Sequence, residues 1–175
     1  NKKKPESKRV GIVTTTGGGG AMVVESLSDS DIEIVDPGQS IKKIMQDNNI
    51  PFNNNKLVDL TIAGTKAEVV TEVIGQMMQN KNCDLVVMVV GSSAKFRPEQ
   101  AVEPLLKWAN HPKPLAVYVA PDAPDALKLL HQNNIACFRT PESCAESIKI
   151  FLNTKNPIKP KIFKDDLSKI SKKLN

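Results

Sequence analysis

The sequence predicts an α/β protein built on a parallel sheet, and three observations carry that expectation. Short apolar runs alternate with stretches of helical periodicity along most of the 175 residues. One run, residues 84–90, is apolar without interruption after its first residue, as a strand covered by helices on both faces should be. Residues 9–27 pass from a β-branched segment through four consecutive glycines into a helix-forming segment. Strand, glycine-rich turn and helix in that order can set backbone N–H groups against an anion.

The elements follow in order. Residues 10–14 read as the first strand, and a helix begins in residues 21–27. Residues 32–35 form a brief second strand, ended by Asp36, Pro37 and Gly38. Ser40 can cap a helix to Asp47 with Ile41, Ile44 and Met45 on one face. Residues 52–64 are an irregular connection, after which Thr65 can cap a long helix to Gln79. The third strand is residues 84–90, followed by a turn over residues 91–97. Pro98 suits the first turn of the next helix, and Pro104 should kink that helix or delay its true start to Glu103. A fourth strand at 114–120 leads to a helix through Asn133, capped by Asp122 or Asp125. A fifth strand at 135–138 precedes a helix with Thr140 as cap and Pro141 at its first position.

Five strands in this spacing suit a flavodoxin-like three-layer sandwich, with a five-stranded parallel sheet in the order 2-1-3-4-5. Residues 1–8 read as a basic linker and residues 9–152 as the domain. Residues 153–175 read as a second basic linker, with a short amphipathic helix at 165–174. In such sheets ligands bind beyond the carboxyl ends of the strands, near the switch point. The turns at residues 15–20 and 91–97 should therefore meet in one crevice.

Charge is unevenly spread. The net charge is +5, but residues 1–9 carry +4 and residues 154–175 carry +5, which leaves the body at −4. A mildly acidic body with one Trp and one Tyr argues against a nucleic-acid binder. No apolar run approaches a membrane span. Residues 1–8 lack the apolar stretch of a secretory signal, and the start at Asn1 reads as a piece of a longer polypeptide. Cys83, Cys137 and Cys144 share no metal-ligand spacing, which fits a reducing, cytoplasmic setting and no metal site. Cys144 falls near a helix start, where the dipole can lower a thiol pKa. His111 and His131 lie in no motif that exposes an imidazole for chemistry and read as surface histidines.

Gly17, Gly18, Gly19 and Gly20 have two readings: amides free to approach an anion, or tight strand–helix packing. The run is not a Walker loop, because no Gly-Lys-Ser/Thr follows it. Gly91, Ser92 and Ser93 offer amides and hydroxyls, and Lys95 and Arg97 add positive charge, as a phosphoryl group would require. A solvated loop explains the same residues. Asp59, bracketed by Val58 and Leu60, reads as a turn or helix cap or as a contact to a ligand or neighbouring domain.

Taken in order, these stretches resemble one domain of the nucleoside-diphosphate-forming acyl-CoA synthetases, the acetate–CoA ligase and succinyl-CoA synthetase superfamily. The resemblance rests on the residue 9–20 strand and glycine run, where the family has Thr-Asn-Gly-Gly, and on Leu57-Val-Asp-Leu-Thr61, similar to its Asn-Pro-Val-Asp-Leu. It also rests on the strand at 84–90, on Lys113-Pro-Leu-Ala-Val117, and on residues 134–145, similar to a Gly-Ile-Pro-x-Phe-x-x-Pro-Glu-x-Ala pattern. It spans roughly residues 8–152.

The resemblance implies the second flavodoxin-like domain of a larger enzyme, like the carboxy-terminal part of the succinyl-CoA synthetase β subunit. That enzyme would join a carboxylic acid to CoA with ATP or GTP and Mg, through acyl phosphate and phosphohistidine. Its partners would be a His-bearing flavodoxin-like domain and an ATP-grasp domain, and a homodimer stays open. The domain would bind no cofactor by itself and would be inactive alone. Its role would be to stabilise the phosphoryl group with Gly17–Gly20, Gly91, Ser92, Ser93 and Lys95, with Asp59 and Arg97 in support. The family's Ser-His-Thr-Gly is absent, so this chain supplies no phosphorylated histidine and no catalytic residue. Lys56-Leu57 replaces the family's Asn-Pro, and Thr15-Thr16-Gly17-Gly18 replaces its Thr-Asn-Gly-Gly. Two other readings use the same residues: a regulatory or scaffolding domain of a synthetase-like acetyltransferase, and a stand-alone module for a phosphate-bearing ligand such as flavin.

Overall fold

The first strand, β1 (Arg9–Thr14), is buried from Val10 onward because strands flank both its edges and helices cover both its faces. The computed structural model describes residues 7–52, 56–61 and 66–154. The chain order is β1, α1 (Gly17–Ser28), β2 (Glu33–Ile34), α2 (Gln39–Asp47), β3 (Val58–Asp59) and α3 (Ala67–Gln79). It continues through β4 (Leu85–Val90), α4 (Ser93–Phe96), α5 (Pro98–Leu106), β5 (Leu115–Val119), α6 (Pro124–Gln132), β6 (Ala136–Phe138) and α7 (Pro141–Asn153). All pairings are parallel, and the path across the sheet is β2-β1-β4-β5-β6.

The α/β three-layer expectation therefore holds, with one addition. The two-residue strand β3 lies in the segment expected to be irregular, and it makes the sheet six-stranded. The outer edge of β1 is shared: β2 pairs with Arg9 and Val10, and β3 pairs with Val13 and Thr14. A two-residue strand has too little periodicity to be legible. Its position still matters, because it carries Asp59 to the carboxyl end of β1.

Period-two alternation divides the core. Val86, Met88 and Val90 of β4 face one layer with Val73, Ile74 and Met77 of α3, Leu105 of α5 and Leu130 of α6. Leu85, Val87 and Val89 face the other layer, with Val23 and Leu27 of α1 and Cys144 and Ile148 of α7. Burying each such aliphatic side chain contributes about 1.5–3 kcal/mol before entropy is counted. Among the described residues no helix is long and apolar enough to cross a membrane.

Several element starts differ from expectation. Helix α1 begins at Gly17 rather than Ala21, so all four glycines are helical. Their poor intrinsic propensity is overridden by packing against the sheet. Helix α2 starts at Gln39 with Gly38, at φ 85°, as its cap instead of Ser40. Asp36 accepts from the Gly38 amide at 2.8 Å and pairs with Lys42. Asn49, at φ 56°, ends that helix in the left-handed region, which Asn tolerates. Helix α5 runs from Pro98 through Pro104 to Leu106, with Val102, Pro104 and Leu105 all buried, so burial outweighs the missing amide of Pro104. Neither Asp122 nor Asp125 caps α6: Ala123 is the cap, Asp125 lies in the first turn, and Asp122 pairs with Arg139 at 2.7 Å. Thr140 caps α7 as expected, accepting from the Ser143 amide at 3.2 Å. The Thr65 cap, residues 1–6 of the linker expected at 1–8 and the helix expected at 165–174 lie outside the described residues.

Candidate functional site

Strands β1 and β4 are adjacent and parallel, so the turns that follow them leave the sheet side by side. The contact is direct. The Gly91 amide donates to Thr15 Oγ1 at 3.0 Å, and the Thr15 amide donates to the Val89 carbonyl at 2.9 Å. A Cβ on Gly91 would stand 2.9 Å from the Thr15 carbonyl oxygen, so only glycine permits this approach. Residues 15–20 and 91–97 thus meet at one edge.

The first turn is tied down by threonines. Thr14, fully buried at the end of β1, accepts from the Thr16 amide at 2.9 Å and donates to the Thr16 carbonyl at 2.7 Å. The Leu60 amide donates to the Thr14 carbonyl at 2.7 Å, which extends the β1–β3 pairing. Asp59 then closes over the start of α1. Its Oδ1 accepts from the Thr61 amide at 2.9 Å and from the Thr61 hydroxyl at 2.5 Å. The Thr61 oxygen in turn accepts from the Gly17 amide at 2.9 Å. Asp59 Oδ2 lies only 2.6 Å from where a Gly17 Cβ would be. The positive end of α1 already faces a carboxylate of its own chain.

The four glycines separate by role. Gly19 and Gly20 are buried, and an added Cβ would meet Thr16, Val89 or Thr14 side-chain atoms at 2.8–3.0 Å. At these two the close approach of helix to sheet accounts for the glycine. Gly17 lies against Asp59, and a Cβ on Gly18 would meet open space. The amides of Gly18 and Gly19 have no partner among the described residues, as is usual in a first helical turn.

The second turn is built differently. Residues 93–96 form one helical turn, α4, and Arg97 separates it from α5. The amides of Ala94 and Lys95 are taken by the carbonyls of Gly91 and Ser92. The next helix, α5, begins at Pro98 as the sequence predicts, so Ser92 and Ser93 stand one short helical turn ahead of it. A cavity of about 340 Å³ opens beside this turn. Thr15, Ser93 and Arg97 line it together with Glu68 of α3 and Glu103 of α5, and Val70 and Met88 contribute apolar surface. None of Gly17–Gly20 lines it. Arg97 is exposed and, like Glu68 and Glu103, has no ion pair among the described residues. Ser92, Lys95 and Phe96 are exposed on the outer surface of the turn.

The remaining candidates lie elsewhere. Burial pushes the Cys144 thiol up to about 12, so desolvation overrides the helix dipole that the sequence placed beside it. Cys83 and Cys137 are also raised by burial. His111 Nδ1 accepts from the Lys113 amide, and its ring meets the Trp108 ring edge-on at 5.2 Å, before β5. His131 sits in the last turn of α6. Among the described residues no group of three or more His, Cys, Asp or Glu is placed to hold a metal ion.

No family model matches the chain, and no curated protein matches it in sequence. Solved structures do share its fold. PH0766 from Pyrococcus horikoshii OT3 superposes with a TM-score of 0.73 at 18% identity, covering 85% of this chain and 36% of that one. The dinucleotide-forming acetyl-coenzyme A synthetase 1 of Ca. Korarchaeum cryptofilum, in its apo form, superposes with a TM-score of 0.69 at 20% identity over 85% of this chain and 34% of that one. The same synthetase in complex with phosphate and ADP gives 0.68, 20% identity, and coverage of 85% and 33%. The chain spans about a third of the length of each structure.

Proposed function

We propose that this chain is one α/β domain of a nucleoside-diphosphate-forming acyl-CoA synthetase. In this reading its crevice receives a phosphoryl group that another domain carries. The observation that carries the reading is the meeting of the two turns through Gly91 and Thr15 at the carboxyl ends of the central strands. The fold shared with an acetyl-coenzyme A synthetase over 85% of the chain supports it, as do the order and spacing of the sequence motifs. The phosphohistidine would come from a separate domain. CoA, ATP or GTP, and Mg would be held by other domains of the complete enzyme.

The work of such a domain is positional. Hydroxyls, amides and a guanidinium held by a rigid sheet stabilise negative charge without reorganising when it arrives. The test is reconstitution. The purified 175-residue chain alone should form no acyl-CoA from acetate or succinate with CoA and ATP or GTP. Adding it to the separately expressed His-bearing and ATP-grasp units should restore ligase turnover. Turnover by the chain alone, or full turnover by the other units without it, overturns the assignment.

A further inference from the structure

The two turns at this edge are not equivalent receivers of charge. The geometry points to the Thr15, Ser93 and Arg97 side of the crevice as the seat of the anionic group, with Asp59 keeping that group off the glycine-rich start of α1. The inference rests on the phosphoryl reading above and narrows its contact from both turns to the second, with Arg97 as the principal group and Gly17–Gly20 left out.

Three observations converge. The Asp59 carboxylate lies against Gly17, and through Thr61 it satisfies the Gly17 amide, so an incoming anion would meet a like charge at the helix end. The cavity of about 340 Å³ is lined by Thr15, Ser93 and Arg97 and by none of the four glycines. Arg97 is a cation without an ion pair among the described residues, and Ser93 brings a hydroxyl to the lining of the same cavity.

Glu68 and Glu103 line the same cavity and make the seat a poor one for a free dianion. That suits a guest delivered on another domain, because tethering supplies an effective concentration that a freely diffusing anion lacks. Inorganic phosphate should therefore bind weakly but at a defined place.

The experiment titrates inorganic phosphate into the ¹⁵N-labelled 175-residue chain at constant ionic strength and follows backbone amide shifts. The wild type should show shifts at Gly91, Ser93 and Arg97 and none at Gly17 or Gly18. Arg97→Met should weaken binding about tenfold or more, as loss of a hydrogen bond to a charged group implies. Asp59→Asn keeps an acceptor for Thr61 and removes the charge. It should tighten binding and bring shifts to Gly17 and Gly18. Wild-type shifts centred on Gly17 and Gly18 that Arg97→Met leaves unchanged would overturn this inference and leave the phosphoryl reading standing. An Asp59→Asn variant that binds as the wild type does would overturn the exclusion by Asp59. Absence of phosphate binding in all three proteins at high millimolar concentration would overturn the seat and the phosphoryl reading together.

Discussion

The turn after β1 and the turn after β4 look alike in outline. Each follows a buried central strand, each is rich in small residues, and each leads into a helix. Yet the first is closed on itself by Asp59 and Thr61, while the second opens onto a cavity lined by Arg97, a guanidinium with no ion pair among the described residues. Small residues before a helix create orphan donors, but they do not decide who satisfies them. At α1 the two-residue strand β3 brings the satisfying group close: the Thr61 hydroxyl, 44 positions from Gly17 and held by Asp59. At the second turn the first amides are taken locally, and the reachable polar groups are side chains.

The sharpest way to test this contrast is to fill the glycine run. Gly20→Val places its side chain into Thr14 and Leu57 and should cost about 1–3 kcal/mol, read from the urea midpoint. A midpoint equal to wild type would show that the packing role of Gly20 is misread. Removing the self-cap should cost less. Asp59→Ala strips Thr61 of its acceptor and should lower stability by about 0.5–2 kcal/mol, the range for a lost helix cap. A stability unchanged to within error would mean that the Asp59–Thr61–Gly17 chain holds nothing.

Gly18→Ala should act in the opposite direction. Its Cβ meets open space, and alanine is worth up to about 1 kcal/mol over glycine in a helix. Destabilisation there would blur the division between Gly18 and its buried neighbours. The smallest effect concerns the other end of the sheet, where a carboxylate is paired with a cation rather than a helix end. Burial alone would raise Asp84, but the Arg9 guanidinium, the Ser7 hydroxyl and the Arg9 amide outweigh it and hold the carboxyl below its usual range. Its folded pKa is depressed, so its contribution is present above the ordinary aspartate pKa and is lost as pH falls through the lower folded value. Asp84→Asn should flatten that acid limb by about 1 kcal/mol or less, the scale of a partly exposed pair. An acid limb as steep as wild type would assign it to other groups.

How much was legible depends on the length of the signal. The run at β4 and the helical spacing of α3 were readable because six residues and 13 residues repeat one burial pattern. Thr140 and Pro141 announced α7 because a cap is a local bond between neighbours. In the sequence Gly17 through Gly20 read as a turn because glycine disfavours helix in isolation, and only contacts with Thr14, Thr16 and Val89 reverse that preference. Asp59 leaves a cap and a contact to a ligand or domain both open in the sequence, since the group it faces is distant along the chain.

The chain's own pattern of apolar runs, turns and caps determined the layers, the parallel sheet and the edge where the two turns meet, because periodicity and caps act over a few neighbouring residues. The tertiary structure alone decided which turn is open. That outcome turns on β3 pairing with β1 and on a carboxylate reaching the end of α1. Such through-space electrostatics and packing leave no mark on the order of residues along the chain.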